Sequence, residues 1–455
     1  MMDRMHCALP AAEKKKKEYP LLGIMAAVIL LYAAPFVSSW ISVVSFVILL
    51  YRLVRYDARV FAVDYCMLMP ISALAKAGGR IPLVIYLCLL AGIWHLIRGG
   101  IRRDASYVLL ILLLNYLIAR MQMNINDFVL CFGQMFVLCV LLPKQDERSA
   151  ERAAKTFCVS LIVSSTYAFA LRNTYQLRAV TGTAYGAMWG TNAVRFCGLF
   201  SDPNYYMIFL IVALALLIKL KNSDRIGNLA FWVQVGCLAV FGIQTYSKTF
   251  FLMFILLAGI FVIWQYWNKK VIRGVLFTMA GVIGLAAVLT MENSPFAVVL
   301  NRLTSSRNLS DLTTGRIDLY LMYLEEITSS VPIFLFGKGM AAEALYRDPH
   351  NLYLEVAYYT GVIGLILMAA FYAAMLRIMV RRVTGAPRQN LLAKYEVLGT
   401  VLVLYLSLHG MFSQLLYAAL FLALLAILIT EKPGEDGPQT GGTKGEISGG
   451  GVRRE

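Results

Sequence analysis

Four side chains are placed where they could meet a phosphate: Arg195, Lys248, Arg316 and His350. Arg195 opens "RFCGLFSDPNYYM", directly before an apolar run. Lys248 stands in "TYSKTFF", a turn so short that the lysine is expected at the membrane edge. Arg316 opens the amphipathic stretch "GRIDLYLMYLEEITSS", and His350 lies in "RDPHNLYL", three residues after Arg347 and at the mouth of another apolar run. A charge held at a bilayer edge is costly unless it finds a partner, so such residues often mark substrate paths. Arginine offers phosphate a two-pronged fork and lysine a point charge. Helix starts add free N–H groups and a positive dipole end. Imidazole accepts or donates a proton near neutrality, so His350 is a candidate base or phosphate ligand. The set suits a phosphate or pyrophosphate carried by a lipid.

Each of these signals has a plainer reading. "SDPNYYM" (Ser201–Met207) and "RDPHNLYL" (Arg347–Leu354) share Asp-Pro followed by asparagine and aromatics. Asp or Asn caps a helix start and Pro favours its first turn. Asp202, Pro203, Asn204 and Asn351 are therefore either caps or substrate contacts. Arg172, Arg178, Arg302 and Arg307 read as solvated loop residues. His6, His95 and His409 receive no role. The GxG of "FGKGM" (Gly337–Gly339) lacks the spacing and the preceding strand of a nucleotide-binding loop and reads as a tight turn.

The elements that must position these residues are membrane spans. The 455-residue chain is 59% hydrophobic and 15% charged, with mean hydropathy +0.68. A soluble protein carries charge on about a quarter of its residues. The fold class is all-α polytopic membrane protein, with 12–14 spans. The run from Pro20 to about Val54 reads as two short spans hinged near Pro35–Trp40; it is too long for the apolar core of a signal peptide despite the preceding KKKK at 14–17. Further runs lie at roughly 60–76, 81–97, 105–119, 128–142, 156–171, 204–219, 228–245, 248–267, 274–291, 351–376, 395–409 and 413–430. With the N-terminus inside, 30 of the 42 lysines and arginines fall on cytoplasmic segments, as the positive-inside rule requires. The net charge of +16 is thus an orientation signal suited to anionic membrane lipids; without a basic stripe interleaved with aromatics it does not point to nucleic acid.

The expected organisation is a basic N-terminus (1–19), a transmembrane bundle (20–171), an external loop (172–203), central helices (204–291), a large external loop (292–350), C-terminal helices (351–430) and a Gly-rich disordered cytoplasmic tail (431–455). In the amphipathic stretch Ile317, Leu321, Leu324 and Ile327 fall near one face, and Thr313 or Thr314 is placed to cap it. Of the eight cysteines only Cys197 falls in an expected external loop, and no CxxC pair supports zinc or a disulfide framework.

The order of features is similar to that of the O-antigen ligase/polymerase family, bacterial membrane glycosyltransferases of surface-polysaccharide assembly. R-x-x-G-x-F-x-D-P-N (Arg195–Asn204) precedes a span, "SKT" (Ser247–Thr249) marks a span edge, and "TGR" (Thr314–Arg316) opens an external helix; "FLFGKGM" (Phe334–Met340) and "HNLYLEVAYYTGVIGL" (His350–Leu365) follow. The resemblance covers roughly Arg195 to Leu365. It implies transfer of a glycan from a polyprenyl (undecaprenyl) pyrophosphate carrier to a glycan or lipid-linked acceptor on the outer face of the bacterial inner membrane, with no metal or other cofactor. Partners would be these lipid-linked substrates, membrane lipids and other polysaccharide-assembly proteins. By the same resemblance Arg195 and Arg316 become pyrophosphate ligands, and His350 activates the acceptor hydroxyl or orients the phosphate. Asn351, Asp202, Asn204 and Arg347 shape the site. Lys248 departs from the arginine common at its position in the family and loses the fork.

The expected activity is polymerisation of lipid-linked repeat units with inversion at the anomeric carbon, of the kind that builds capsule or exopolysaccharide. The alternatives are a ligase acting on another acceptor, a transporter of lipid-linked glycans, and a non-catalytic subunit. Asp64 is the chief mid-span ionisable group a transporter reading would use.

Overall fold

The computed structural model describes residues 21–75, 82–99, 105–120, 133, 135, 137–181, 185–187, 194–267, 315–339, 342, 345, 349–383, 397–401 and 414–430. Arg347, Arg302, Arg307, Thr313, Thr314, the run at 274–291, part of that at 128–142, most of that at 395–409, both terminal segments, Cys7 and Cys131 lie outside the described residues.

Helices dominate. In chain order they are α1 (Leu21–Val37), α2 (Trp40–Arg55), α3 (Ala58–Leu68, continued by a 3₁₀ stretch to Ala75), α4 (Leu83–Gly99), α5 (Ala105–Arg120), α6 (Glu147–Ala170), α7 (Tyr175–Thr181), α8 (Pro203–Asn222), α9 (Asn228–Ile243), α10 (Lys248–Trp267), α11 (Arg316–Ile327), α12 (Val331–Phe336), α13 (Leu352–Val383) and α14 (Gln414–Ala426). Between α7 and α8 a short antiparallel ribbon pairs β1 (Tyr185–Ala187) with β2 (Val194–Phe196), Gly186 opposite Arg195. The sequence reading anticipated no strand there. Among the described residues four helices are long and apolar enough to cross a membrane (Ala58–Ala75, Glu147–Ala170, Pro203–Asn222 and Leu352–Arg382), and six shorter apolar helices accompany them. The chain is an all-α polytopic membrane protein.

α8 is the axis. It is apolar on every side, and every residue from Tyr206 to Leu220 is buried beneath α6, α9, α10 and α14, as a helix without a polar face must be. α1, α2, α9 and α10 instead turn large apolar side chains outward: Leu22, Ile29, Val47, Leu229, Leu252 and Ile255 are exposed. Such contiguous apolar surface suits acyl chains rather than water.

Hydrogen bonds show which loops share an end of the bundle. Arg225, after α8, reaches Glu147 and Glu151 on α6 and the Thr430 carbonyl. Arg382, at the end of α13, donates to the carbonyls of Pro143 and Gln145. Arg59 pairs with Asp146 at 2.8 Å, Lys144 Nζ meets the His95 carbonyl and Arg98 the Val54 carbonyl. These are the segments that the charge count groups on one side. At the opposite end lie the α6–α7 corner, the ribbon, the start of α8 and the α9–α10 turn.

Cys197 lies in the connection after β2, where it is fully buried, and the six described cysteines are free thiols. One expectation changes here. Asp64 is no solitary mid-span acid: Arg52 Nε and Nη2 grip its two oxygens at 2.8 and 2.9 Å, with both side chains buried. Both oxygens of the carboxylate are satisfied by one fork, which removes the feature a transport reading would have used.

Candidate active site

The first cluster is built by the ten residues from Arg195 to Asn204. β2 docks on the α9–α10 corner, where the Phe196 N–H donates to the Gln244 carbonyl at 2.9 Å. Arg195 Nε donates to the Thr245 carbonyl at 2.7 Å and Nη2 to Asn204 Oδ1 at 3.2 Å. Gly198 has φ +59 and lies against the Tyr206 ring, which a Cβ would approach to 2.8 Å. Phe200 stacks on Tyr206 and Phe209, with centroids 5.7 and 5.0 Å apart. Asp202 caps α8 by accepting the Asn204 N–H at 2.6 Å, and Pro203 is the first helical residue. Capping is therefore observed for Asp202, while Asn204 holds Arg195. Lys248 begins α10, three residues after the carbonyl that fixes Arg195. Tyr246, between them, has φ +50, a left-handed conformation that non-glycine residues adopt only where their surroundings impose it.

The second cluster surrounds a break in α13. Asn351 caps this helix, its Oδ1 accepting from the N–H groups of Tyr353 and Leu354 at 3.0 and 3.2 Å. His350 precedes the cap with φ +50. Nine residues into the helix Gly361 turns left-handed (φ +68, ψ −175), so Leu352–Thr360 forms a separate first segment. Phe336–Gly339 fills the gap. The N–H groups of Lys338 and Gly339 donate to the carbonyls of Tyr358 and Tyr359 at 2.8 and 2.9 Å. Gly337 and Gly361 sit where the two backbones touch; a Cβ on Gly337 would stand 2.4 Å from the Tyr359 carbonyl carbon, and one on Gly361 2.2 Å from the Leu335 oxygen. From α5, Arg120 donates to the carbonyls of Phe336 and Gly337 at 3.2 and 2.7 Å, and the Tyr116 hydroxyl to that of Thr360. The expected tight turn is thus a strap bonded across a broken helix.

α11 packs on the first two turns of α13. Its buried face is Leu319, Tyr323 and Ile327, against Ala357 and Tyr358, with the Tyr323 and Tyr358 rings 4.9 Å apart. This corrects the expected stripe: Leu321 and Leu324 are exposed and Ile317 half-buried, while Ile327 alone of that set is buried. Apolar residues lie on both sides of α11, and the aromatic contact at Tyr323 decides which side meets protein. Gly315, φ +74, is the residue before the helix and Arg316 its first. Lys338 ion-pairs with Glu326 of α11. That hydrogen bond raises the lysine above its ordinary value, against a smaller opposing effect of burial.

Arg195, Asn204, Asp202 and Lys248 thus gather around the α9–α10 corner, and Arg316, His350 and Asn351 lie at the starts of two helices packed together. Arg120 escaped the sequence reading, as did Glu355, a buried carboxylate in the first turn of α13. Glu355 is the one acid in an apolar entry, and that was the available signal.

The segment running from α9 through the first turns of α13, residues 230–369, matches the family model Wzy_C, described as O-antigen ligase. That segment, less than half of the chain, is similar to the O-antigen ligase family. Lys248, Arg316, His350 and Asn351 fall inside the matched segment, and Arg195, Asp202 and Asn204 precede it. Neither a curated protein nor a solved structure gives a significant match. The matched segment thus lies within a polytopic membrane protein.

Proposed function

We propose that the chain is a glycosyltransferase that polymerises polyprenyl-pyrophosphate-linked repeat units on the outer face of the cytoplasmic membrane. In this reading the ion-paired end of the bundle faces the cytoplasm. The observation that carries the proposal is the packing of α11 on the head of α13, because it sets Arg316 and His350 on one rigid unit inside the matched segment. Arg195, held by a carbonyl and an amide on the same side of the bundle as the α9–α10 turn, supplies the second fork.

The donor lipid enters sideways, its tail against the exposed apolar faces. Arg195 and Arg316 grip the pyrophosphate and Lys248 adds a point charge. The acceptor hydroxyl attacks the anomeric carbon opposite the leaving oxygen. A new carbon–oxygen bond forms as the bond to phosphate breaks, and the electron pair leaves on the pyrophosphate. His350 takes the hydroxyl proton or orients a phosphate oxygen. Fixed donors aimed at developing charge supply the largest share of such catalysis. Arg347, Asn351, Asp202 and Asn204 shape the pocket, and chelators leave the rate unchanged.

The test uses purified protein with a lipid-linked oligosaccharide alone. Wild type lengthens the glycan, while Arg316→Ala and His350→Ala do not, at equal protein level and unchanged melting temperature. Full-length product from both variants overturns the proposal. The ligase reading is favoured by the description of the matched family. It predicts no extension until a separate acceptor is added.

A further inference from the structure

A cleft of about 500 Å³ opens beside the Arg195 cluster, within the range of roughly 300–1,000 Å³ usual for small-ligand sites. Its walls are Phe169, Arg172 and Asn173 at the end of α6, Arg178 of α7, and Gln244 and Tyr246 at the α9–α10 corner. Phe196, the residue after Arg195, forms its floor.

Arg172 lies with its guanidinium carbon 4.1 Å from the centre of the Phe169 ring. Stacked in this way an arginine offers its N–H edge to a ligand. Among the described residues no hydrogen-bond acceptor meets that edge. Arg178 is held in place beside it, Nε donating to the Arg172 carbonyl at 3.2 Å and Nη2 to Asn173 Oδ1 at 3.4 Å. Among the described residues no carboxylate lines the cleft. The Arg172 edge, with the Arg178 guanidinium beside it, favours an anion. The amides of Asn173 and Gln244 match hydroxyl groups, and the Tyr246 ring gives a flat apolar wall for the C–H face of a sugar. A site for bare pyrophosphate would need the cations but neither the amides nor the rings.

We propose that this cleft is a saccharide subsite for a carboxylate-bearing sugar of the glycan being handled. The inference rests on the glycan-transfer reading above for the source of the saccharide. Its location fits, because the corner that forms one wall also holds Arg195 through the neighbouring Thr245 carbonyl.

The test measures binding without turnover. Full-length protein in lipid nanodiscs is titrated with trigalacturonate, sialyllactose and neutral maltotriose. At least one acidic probe should bind about tenfold or more tighter than maltotriose, the scale of one or two charge-assisted hydrogen bonds. That advantage should disappear in Arg172→Gln/Arg178→Gln and persist in part in Arg172→Lys, whose fold is checked by its melting temperature. Arg316→Ala should leave it intact, so loss of transfer and loss of binding report separately. Equal affinity for acidic and neutral probes overturns the proposal. So does an acid preference that survives the double substitution, or displacement of the bound sugar by stoichiometric inorganic pyrophosphate.

Discussion

The two ends of the bundle hold their arginines in different ways. At one, Arg382 and Arg98 bond backbone carbonyls, but Arg225 meets Glu147 and Glu151 and Arg59 meets Asp146. At the other, the described hydrogen bonds of Arg195 go to the Thr245 carbonyl and the Asn204 amide, Arg120 bonds two backbone carbonyls, and Arg172 lies on a ring. A carboxylate fixes a guanidinium and cancels its charge. A carbonyl, amide or ring fixes it without itself supplying a formal counter-charge. The first arrangement staples loops together; the second prepares a surface for an anion. Among the described residues Lys338–Glu326 is an exception at the second end, and it joins the strap to α11.

The largest effect tests whether the second end is rigid. Gly361→Ala puts a methyl group within 2.2 Å of the Leu335 oxygen at φ +68. Left-handed strain and overpacking each cost about 1–3 kcal/mol. The melting temperature should fall steeply and transfer should vanish with it. A variant with wild-type melting temperature would mean that the strap and the broken helix are not locked together.

Next comes the charge itself. Arg195→Ala should lower transfer by about 10²–10³-fold, the usual cost of losing a fixed donor at developing charge. Arg225→Ala should leave transfer unchanged and lower stability by about 1 kcal/mol, the scale of a partly exposed ion pair, and less in high salt. If both variants lose stability and neither loses turnover, the contrast between the ends is only one of partner chemistry.

Much of this was legible in the chain. A bilayer demands apolar runs of about 20 residues, so spans announce themselves; the hinge near Pro35–Trp40 appears as the α1–α2 corner, and the short turn before Lys248 is the four residues 244–247 between α9 and α10. Caps at Asp202 and Asn351 follow from side-chain chemistry alone. Less was visible where two distant segments decide together. "TGVIGL" contains two glycines, and only the approach of the 335–339 strap determines that Gly361 rather than Gly364 turns left-handed. The strands of the ribbon are three residues long, too short to show alternation. Arg172 reads as solvated because its cleft is assembled from residues near 170, 196 and 245.

The smallest effect lies at the stapled end and concerns pH. Asp146 caps α6 through a reciprocal pair with Ser149 and also meets Arg59. Partial burial pushes its carboxyl upward, but the hydrogen bonds from Ser149 and the guanidinium outweigh this and hold it below the ordinary carboxylate value. A carboxyl lowered in the folded state adds stability that is fully present above its unfolded value and is lost as pH falls through the folded one. Acid should therefore loosen the α6 start. Asp146→Asn keeps the cap and should flatten this acid limb, whereas Asp146→Ala should cost about 1 kcal/mol at neutral pH. Thermal unfolding from pH 7 to pH 3 reads both. An unchanged acid limb in Asp146→Asn would show that the staple gains nothing from charge, leaving the two ends alike in that respect.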